Sequence, residues 1–251
     1  FSSAITALLG NALGKKRYKL ASIYAHKGLI FVPLIGLTLS IIGYFFAPSL
    51  FMFLGAKDEY LQISLDYINP ILFGAIFFMF NFSLNSILIA TGDTETYRNS
   101  LIFGFFANLA LNPLFMYGFL FVPAMGIKGI AFATVLIQII NMFYLFYKVL
   151  QTKLIHFDKL EYFIPNLRIY KLFFTHGIPS SLNMLTMAIG SLILTYFVSH
   201  YGIQAVAGYG IGYRVEQLML LPALGLSTAV LALVSNNFGA KKYDRVIETL
   251  K

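Results

Sequence analysis

Long uncharged apolar stretches alternate along the chain with short segments that hold most of the charged residues. A helix needs about 20 apolar residues to cross about 30 Å of membrane hydrocarbon. Six stretches reach this length, and they predict membrane spans within 28–56, 67–92, 99–127, 129–147, 177–199 and 205–237. Residues 2–13 predict the end of a further helix that stops at Gly14. The pattern therefore predicts an all-α integral membrane protein with about seven helices.

The basic residues indicate how these spans are oriented. Four segments hold 15 of the 18 lysines and arginines, namely 15–27, 91–98, 148–171 and 237–251. They follow every second predicted span, whereas the opposite loops contribute only Lys57 and Lys128. Cytoplasmic loops of membrane proteins carry the excess of Lys and Arg. We therefore expect a multi-pass protein of the cell inner membrane, with these four segments in the cytoplasm.

Composition narrows the class of protein further. Hydrophobic residues make up 59% of the chain and charged residues 11%, with a mean hydropathy of +0.78. Soluble domains are typically about 45–50% apolar and about 25% charged, so a soluble enzyme, a disordered chain and a nucleic-acid binder are excluded. The chain has no cysteine, no H-E-x-x-H sequence and no Gly-Lys-Ser/Thr phosphate loop. We therefore expect no enzyme, no ATP-driven motor and no cofactor, and the sequence assigns no metal ligands.

A segment near the start of the chain recurs near its end. Residues 2–22 and 227–247 align at a shift of 225 positions with eight identities, among them Asn11 with Asn236 and Gly14 with Gly239. Each copy has the pattern of an apolar helix end, a glycine stop and a basic amphipathic start. The two helix ends are six crossings apart and so lie on the same side of the membrane. This predicts a parallel repeat of six-helix bundles, an architecture found in transporters.

The repeat also predicts the domain organisation. A protein built from two such units needs roughly 450 residues and twelve helices. We expect residues 1–150 to form a first six-helix bundle that lacks its first helix, and 151–175 to form a cytoplasmic linker between bundles. Residues 176–251 are expected to be the first two helices of the second bundle.

Several short segments follow one another in a distinctive order and spacing. They are Asn-Ser-Ile-Leu-Ile-Ala-Thr-Gly-Asp-Thr at 85–94, Asn-Leu-Ala-Leu-Asn-Pro-Leu-Phe at 108–115, Gly-Ile-Lys-Gly-Ile-Ala-Phe-Ala-Thr at 126–134, Gly-Ile-Pro at 177–179, and the repeated helix ends at 11–14 and 236–240. In this order and spacing they resemble the multidrug and toxic compound extrusion (MATE) family, and the resemblance covers nearly the whole chain. The resemblance implies a secondary antiporter with a central cavity between two bundles, which exports drug-like, often cationic compounds as Na+ or H+ enters.

The resemblance also implies a cation or proton site in the first bundle. In some prokaryotic branches of the family, positions that match Asn85, Asn108, Asn112 and Thr134 line a pocket with an Asp of the first helix, which this chain lacks. The position of Asn112 is often Asp, so the site here is expected to be less acidic. Asn108 and Asn112 are four residues apart and share a helix face. The alternative is that these amides only join neighbouring helices by hydrogen bonds.

The second bundle contributes one acidic candidate and a candidate hinge. Glu216 is the only carboxylate within its predicted spans. The glutamate that other relatives carry after the linker aligns with Met187, so we expect no coupling through that acid. Glu216 is a candidate cation or proton site or a contact for a cationic substrate, with a solvated interfacial position as the alternative. Pro222 and Gly225 are hinge candidates because proline removes a backbone hydrogen bond, although both residues are also ordinary in membrane helices.

Two functions are expected from these observations. The first is export of drug-like or organic compounds in exchange for Na+ or H+. The alternative is a flippase or exporter of lipid-linked precursors of the same superfamily, which would be expected to carry more basic residues in its cavity than Arg214. The expected partners are membrane lipid and a small organic substrate that can be cationic, with no nucleic acid. The full-length protein is expected to be a monomer.

Overall fold

A computed structural model describes residues 1–118, 122–157, 160–162 and 164–250. These residues form helices and a single 3-10 turn at Leu160–Tyr162, and they contain no strand. The helices are α1 (Ser2–Gly14), α2 (Tyr18–Phe53), α3 (Asp58–Thr91), α4 (Glu95–Tyr117), α5 (Ile127–Gln151), α6 (Leu167–Ser199), α7 (Ile203–Gly239) and α8 (Tyr243–Leu250). Helices α2 to α7 are long and apolar enough to cross a membrane. With α1 as the seventh helix, the predicted all-helical membrane architecture is confirmed.

The helices do not coincide with the apolar windows of the sequence. α2 has 36 residues and α7 has 37, which at 1.5 Å per residue gives about 55 Å, well over the roughly 30 Å of hydrocarbon. The helices continue past the apolar windows because charged residues such as Lys and Arg are good helix formers. Conversely, the window 99–127 includes residues outside a helix. α4 ends at Tyr117, and Gly118 turns the chain with a φ of 75°.

α6 begins at Leu167, inside the segment 151–175 that was predicted to be a linker. The side chain of Asn166 accepts hydrogen bonds from the backbone N–H groups of Arg168, at 3.0 Å, and Ile169, at 3.3 Å. Such an asparagine satisfies N–H groups that the first helical turn leaves without partners. The helix therefore starts in the charged region and enters the apolar window already formed.

The two repeat copies end their helices in the same way. α1 stops at Gly14 and α7 at Gly239, and two residues later Lys16 and Lys241 adopt left-handed backbone with φ of 57° and 59°. The hydrogen bonds that close the two turns are Arg17 N–H to the Ala12 carbonyl and Lys242 N–H to the Asn237 carbonyl, both 2.9 Å. α2 and α8 then begin at equivalent positions. The predicted repeat is thus present in the backbone as well as in the sequence.

The two repeat copies also cross each other. A Cβ added to Gly14 would collide with the carbonyl of Asn236, and one added to Gly239 would collide with the carbonyl of Asn11. The glycine of each copy therefore contacts the equivalent asparagine carbonyl of the other copy, as in a contact about a two-fold axis. Only glycine lets two helix backbones approach this closely. We term this contact the glycine crossing. It lies on the side of the helices that the basic segments predict to be cytoplasmic, and we call this predicted side the cytoplasmic side and the opposite one the outer side.

α3 is the centre of the first bundle. It packs against α1, α2 and α5, and most of its residues from Ser83 to Ala90 are buried. The buried apolar cluster around it comprises Leu9, Ala12, Ala21, Ala25, Leu29, Leu84, Ile87, Leu88, Ala90, Leu145, Val149, Leu154 and Ile155. All of these residues lie toward the cytoplasmic side. Side chains from four helices and the linker interdigitate there, so this half of the molecule is tightly packed.

Three side chains of α2 bind the backbone of the linker. Ser22 Oγ and Lys27 Nζ donate to linker carbonyls, and His26 Nε2 accepts from a linker N–H. His26 Nδ1 donates to the Ser22 carbonyl at 2.7 Å, which is consistent with an acceptor at Nε2. The linker groups in these bonds are the Leu154 carbonyl at 2.6 Å, the His156 N–H at 3.1 Å and the Ile164 carbonyl. The linker is therefore attached to the first bundle.

α6 and α7 touch the first bundle at their ends rather than along their length. None of the most apolar part of α6 and 11% of that of α7 is buried within the described residues. At the cytoplasmic end, Phe173 of α6 packs on Phe31 with ring centroids 5.4 Å apart. At the outer end, Tyr196 stacks on Phe53 at 4.6 Å. α7 meets the first bundle mainly through the glycine crossing.

We predict that Gly14→Ala and Gly239→Ala each destabilise the full-length protein, because the new Cβ would overlap a backbone carbonyl that cannot move aside. Overpacking of this kind typically costs about 1–3 kcal/mol. The measurement is the thermal unfolding midpoint of the purified protein in detergent.

Gly208→Ala is the matched control, since a Cβ at Gly208 on α7 would meet nothing within 4 Å. An alanine at such a helical site is expected to leave stability unchanged or raise it slightly. Unfolding midpoints that are equal for all three variants would contradict the close contact at the crossing.

Candidate functional site

Predicted site residues of α4 and α5 lie at similar depths. Counted from the cytoplasmic ends of their helices at 1.5 Å per residue, Asn108 lies about 20 Å in, and Asn112 and Thr134 lie about 25 Å in. α4 and α5 pack against each other. The structure therefore brings Asn112 and Thr134 to one level on neighbouring helices, within the hydrocarbon.

Asn85 lies closer to the cytoplasm than the other candidates. It is six residues from the end of α3 at Thr91, or about 9 Å by the same count. α3 packs on α5 far more extensively than on α4. The structure therefore does not bring Asn85 to the level of Asn112 and Thr134.

Asn108 and Thr134 use their donors within their own helices. Asn108 Nδ2 donates to the Gly104 carbonyl and Thr134 Oγ1 to the Ile130 carbonyl, each at 3.0 Å. Gly104 also lets α4 approach α5, since a Cβ there would lie 3.5 Å from Asn141 Nδ2. An amide oxygen and a hydroxyl oxygen retain lone pairs when their donors are used. Both side chains can therefore still accept a hydrogen bond or bind a cation.

Several side-chain oxygens in this region are buried without a hydrogen-bond partner among the described residues. They are Oδ1 of Asn81, Asn85, Asn112 and Asn141, and Oγ of Ser83. In hydrocarbon an unsatisfied polar group costs several kcal/mol, and such a group in a native structure calls for an explanation. Amide oxygens are ligands that hard cations accept. We refer to these five atoms as the orphan oxygens.

Sequence reasoning missed three of the amides in this region. Asn81 Nδ2 donates to the Gln138 carbonyl at 2.9 Å and to its Oε1 at 2.7 Å, which joins α3 to α5. Asn141 is buried beside Gly104. The resemblance to the family does not include these three positions. They could still be found in the sequence as amides within apolar windows, where polar side chains are usually paired or functional.

The candidate residues of the first bundle carry no ionisable group. An amide oxygen can ligate a cation, but the amide cannot release or take up a proton near neutral pH. Within the part of the chain that the structure describes, no group of three or more His, Cys, Asp or Glu is placed to hold a metal ion. These residues therefore offer oxygen ligands but no group that carries a proton.

Glu216 lies apart from the first-bundle candidates, on the outer half of α7. It is about 35 Å from the cytoplasmic end of the helix at Gly239. Glu216 and Arg214 are both exposed, and neither forms a salt bridge to another described residue. Two residues apart on a helix, they point to different sides.

The hinge candidates lie within an unbroken helix. α7 is continuous through Pro222 and Gly225. A Cβ at Gly225 would meet nothing within 4 Å, so no contact of the described residues requires glycine there. The helix is unbroken at these two residues, and no contact of the described residues at Gly225 would prevent a bend, so both stay hinge candidates.

The sequence matches a known family over most of its length. The sequence model of the MatE family matches residues 1–114 and 179–251. The probable multidrug resistance protein YoeA of Bacillus subtilis (strain 168) is 30% identical over 253 residues, which cover 99% of this chain and 54% of that protein. The FAD transporter of Shewanella oneidensis is 25% identical over 99% of this chain and 55% of its own length. The chain spans about half the length of the curated relatives it matches.

The fold is similar to that of solved transporters. A structure described as the outward-facing conformation of a multidrug resistance MATE family transporter of the MOP superfamily has a TM-score of 0.83 at 26% identity, over 99% of this chain and 55% of that chain. A structure described as the inward-facing conformation of such a transporter has a TM-score of 0.73 at 26% identity, over 99% of this chain and 58% of that chain. The chain is thus more similar to the outward-facing structure.

We predict that Na+ stabilises the full-length protein and that Asn112→Leu removes this effect, because leucine keeps the branched shape but not the orphan oxygen. Binding at ten times the dissociation constant adds about 1.4 kcal/mol to the stability of the folded state. The measurement is the unfolding midpoint in NaCl against choline chloride at equal ionic strength.

Asn237→Leu is the control, since the Asn237 amide donates only to the Leu233 carbonyl of its own helix and is exposed. A sodium-dependent shift of equal size in wild type and Asn112→Leu would exclude Asn112 as a ligand.

Proposed function

Because this chain belongs to the MatE family of membrane transporters, we propose that the intact protein is a secondary antiporter that exports drug-like or other organic compounds. The observation that carries the proposal is the buried Oδ1 of Asn112, which has no hydrogen-bond partner among the described residues at a depth where an unpaired polar group is costly. We propose that a cation binds this oxygen and that the gradient of the cation drives transport.

Na+ is proposed as the coupling ion at this site. The orphan oxygens are neutral, and none of their side chains titrates near neutral pH. The family's acidic position is Asn112 here. A proton therefore has no carrier among these residues, whereas Na+ needs only oxygen ligands. Glu216 is not proposed as the coupling residue, because it lies exposed on the outer half of α7.

Alternating access is proposed to proceed through the glycine crossing. The crossing brings the cytoplasmic ends of α1 and α7 into backbone contact. This arrangement, and the greater similarity to the outward-facing transporter, support a state that is closed to the cytoplasm. We propose that the inner ends separate in the opposite state.

The substrate is proposed to be an organic compound of the size that multidrug exporters handle. Relatives are named as multidrug resistance proteins and as an FAD transporter, which supports an organic substrate. We further propose that the protein is a monomer of the cell inner membrane. Residues 151–175 would link two six-helix bundles, of which this chain holds 1–150 of the first and 176–251 of the second.

We predict that inside-out vesicles carrying the full-length protein accumulate ethidium when a Na+ gradient is imposed, and not when a proton gradient is imposed alone. Asn112→Ala should reduce Na+-driven accumulation to the vesicle background, because an orphan oxygen is lost. The measurement is ethidium fluorescence after each gradient is set up separately.

Glu216→Gln and Asn237→Ala are the controls and should keep Na+-driven transport. Transport driven by protons alone and lost in Glu216→Gln would overturn the first-bundle site. No transport under either gradient would overturn drug export and favour the flippase of lipid-linked precursors.

A further inference from the structure

A groove runs along the outer half of the contact between α3 and α5. Its volume is about 620 Å³. The lining residues are Asp66, Asn69, Pro70, Phe73, Gly74, Phe77, Lys128, Phe132, Val135 and Ile139. None of the predicted site residues is among them, and the proposed function does not use this groove.

The groove is separate from the orphan oxygens. Its α5 residues follow one face at intervals of four, three and four residues, from Lys128 to Ile139. Thr134 is two residues from Phe132, and Asn141 is two residues from Ile139, which places both about 200° around the helix. Asn141 faces α4 at Gly104. The groove therefore lies on the opposite flank of α5 from the cation-site candidates.

The groove is polar at one end and apolar over the rest of its length. Asp66 and Lys128 form a salt bridge of 3.1 Å between α3 and α5 at the outer rim. Below the rim the walls are formed by aromatic and aliphatic side chains, including Phe73, Phe77 and Phe132. An amphiphilic molecule aligned with the membrane normal would place its polar group at the ion pair and its apolar part against these walls.

The length of the groove matches one leaflet. From Lys128 to Ile139 the α5 axis rises about 16 Å, and half of a hydrocarbon core of about 30 Å is about 15 Å. Lys128 is the second residue of α5, and Ile139 lies at the middle of that helix. The groove thus extends from the outer interface to the centre of the membrane.

The ion pair of Asp66 and Lys128 can bind a ligand that carries one negative and one positive charge. Gln62 Nε2 and Lys128 Nζ both approach Oδ1 of Asp66, at 2.9 and 3.1 Å. Among the described residues no hydrogen bond reaches Asp66 Oδ2. The ammonium of Lys128 has three donors, and its side chain is 56% exposed. A phosphate can therefore bind Lys128 while a primary ammonium donates to Asp66.

We propose that this groove binds an outer-leaflet phospholipid with a zwitterionic headgroup of the ethanolamine type. The phosphate contacts Lys128, the ammonium contacts Asp66, and an acyl chain lies against Phe73, Phe77 and Phe132. Because the rim carries one charge of each sign, a zwitterion matches it better than an anionic headgroup or a simple cation. The site stands apart from the proposed transport function, so either can fail without the other.

The test places a photoreactive benzoylphenylalanine at Phe132 in the full-length protein, reconstituted in vesicles with equal parts of phosphatidylethanolamine and phosphatidylglycerol. Phe105 on α4 is the control position, since its side chain is 65% exposed outside the groove. After irradiation, mass spectrometry counts the lipid adducts. We expect mostly ethanolamine lipid at Phe132 and both lipids equally at Phe105.

Changes at the rim separate headgroup recognition from general lipid contact. Lys128→Gln or Asp66→Asn should lower the preference for ethanolamine lipid at Phe132 by up to about fivefold, the upper end of the range for an exposed ion pair. The exchange Asp66→Lys with Lys128→Asp keeps one charge of each sign and should retain the preference. Adducts at Phe105 report in each variant that the protein is folded in the membrane.

Three results would overturn the proposal. One is an equal yield of the two lipids at Phe132, which would mean that the rim recognises no headgroup. Another is a preference unchanged in both single variants. The third is cross-linking of Phe132 to the protein's own chain, which would mean that another helix fills the groove.

Discussion

The contact on which this structure depends is the glycine crossing of α1 and α7. Two helices that the sequence encodes twice meet there through their backbones, because Gly14 and Gly239 leave room for the carbonyls of Asn236 and Asn11. The contact is reciprocal and has no side chain between the backbones, so it can close tightly and leave no gap. α7 is otherwise attached to the first bundle at few points, and its position relative to that bundle rests mainly on this contact.

The second constraint is the absence of water in the hydrocarbon. Polar side chains in the spans must find partners, and several do so within the first bundle, such as Asn81 with Gln138. Others, such as Asn112, are buried without one. In a soluble protein a water molecule could satisfy them, whereas in the membrane we propose a bound ion as their partner. The proposed transport cycle thus needs two parts of the structure, a site that binds the ion and a contact that opens.

Much of this architecture could be predicted from the sequence, because apolar length and charge placement follow directly from the thickness of the membrane. The repeat was also visible, since Asn11 and Gly14 recur at Asn236 and Gly239. The glycine crossing could not be predicted, because hydropathy contains no information on which helices are in contact. The site was predicted only in part. Asn112 and Thr134 share a level, whereas Asn85 does not, and the amide pair of Asn81 and Gln138 emerged only from the packing of α3 on α5.

The most direct test is a disulfide between Gly10→Cys and Ser235→Cys in the full-length protein, with any cysteine outside this chain replaced. A Cβ on Gly10 would lie 3.3 Å from the Cβ of Ser235, close to the separation of about 3.5–4.5 Å found in disulfides. We expect oxidation to link the two cysteines and stop transport, and reduction to restore transport. The control pair Gly10→Cys with Gly190→Cys should form no disulfide and keep transport under oxidation. A linked protein that still transports at the wild-type rate would contradict the opening of the crossing.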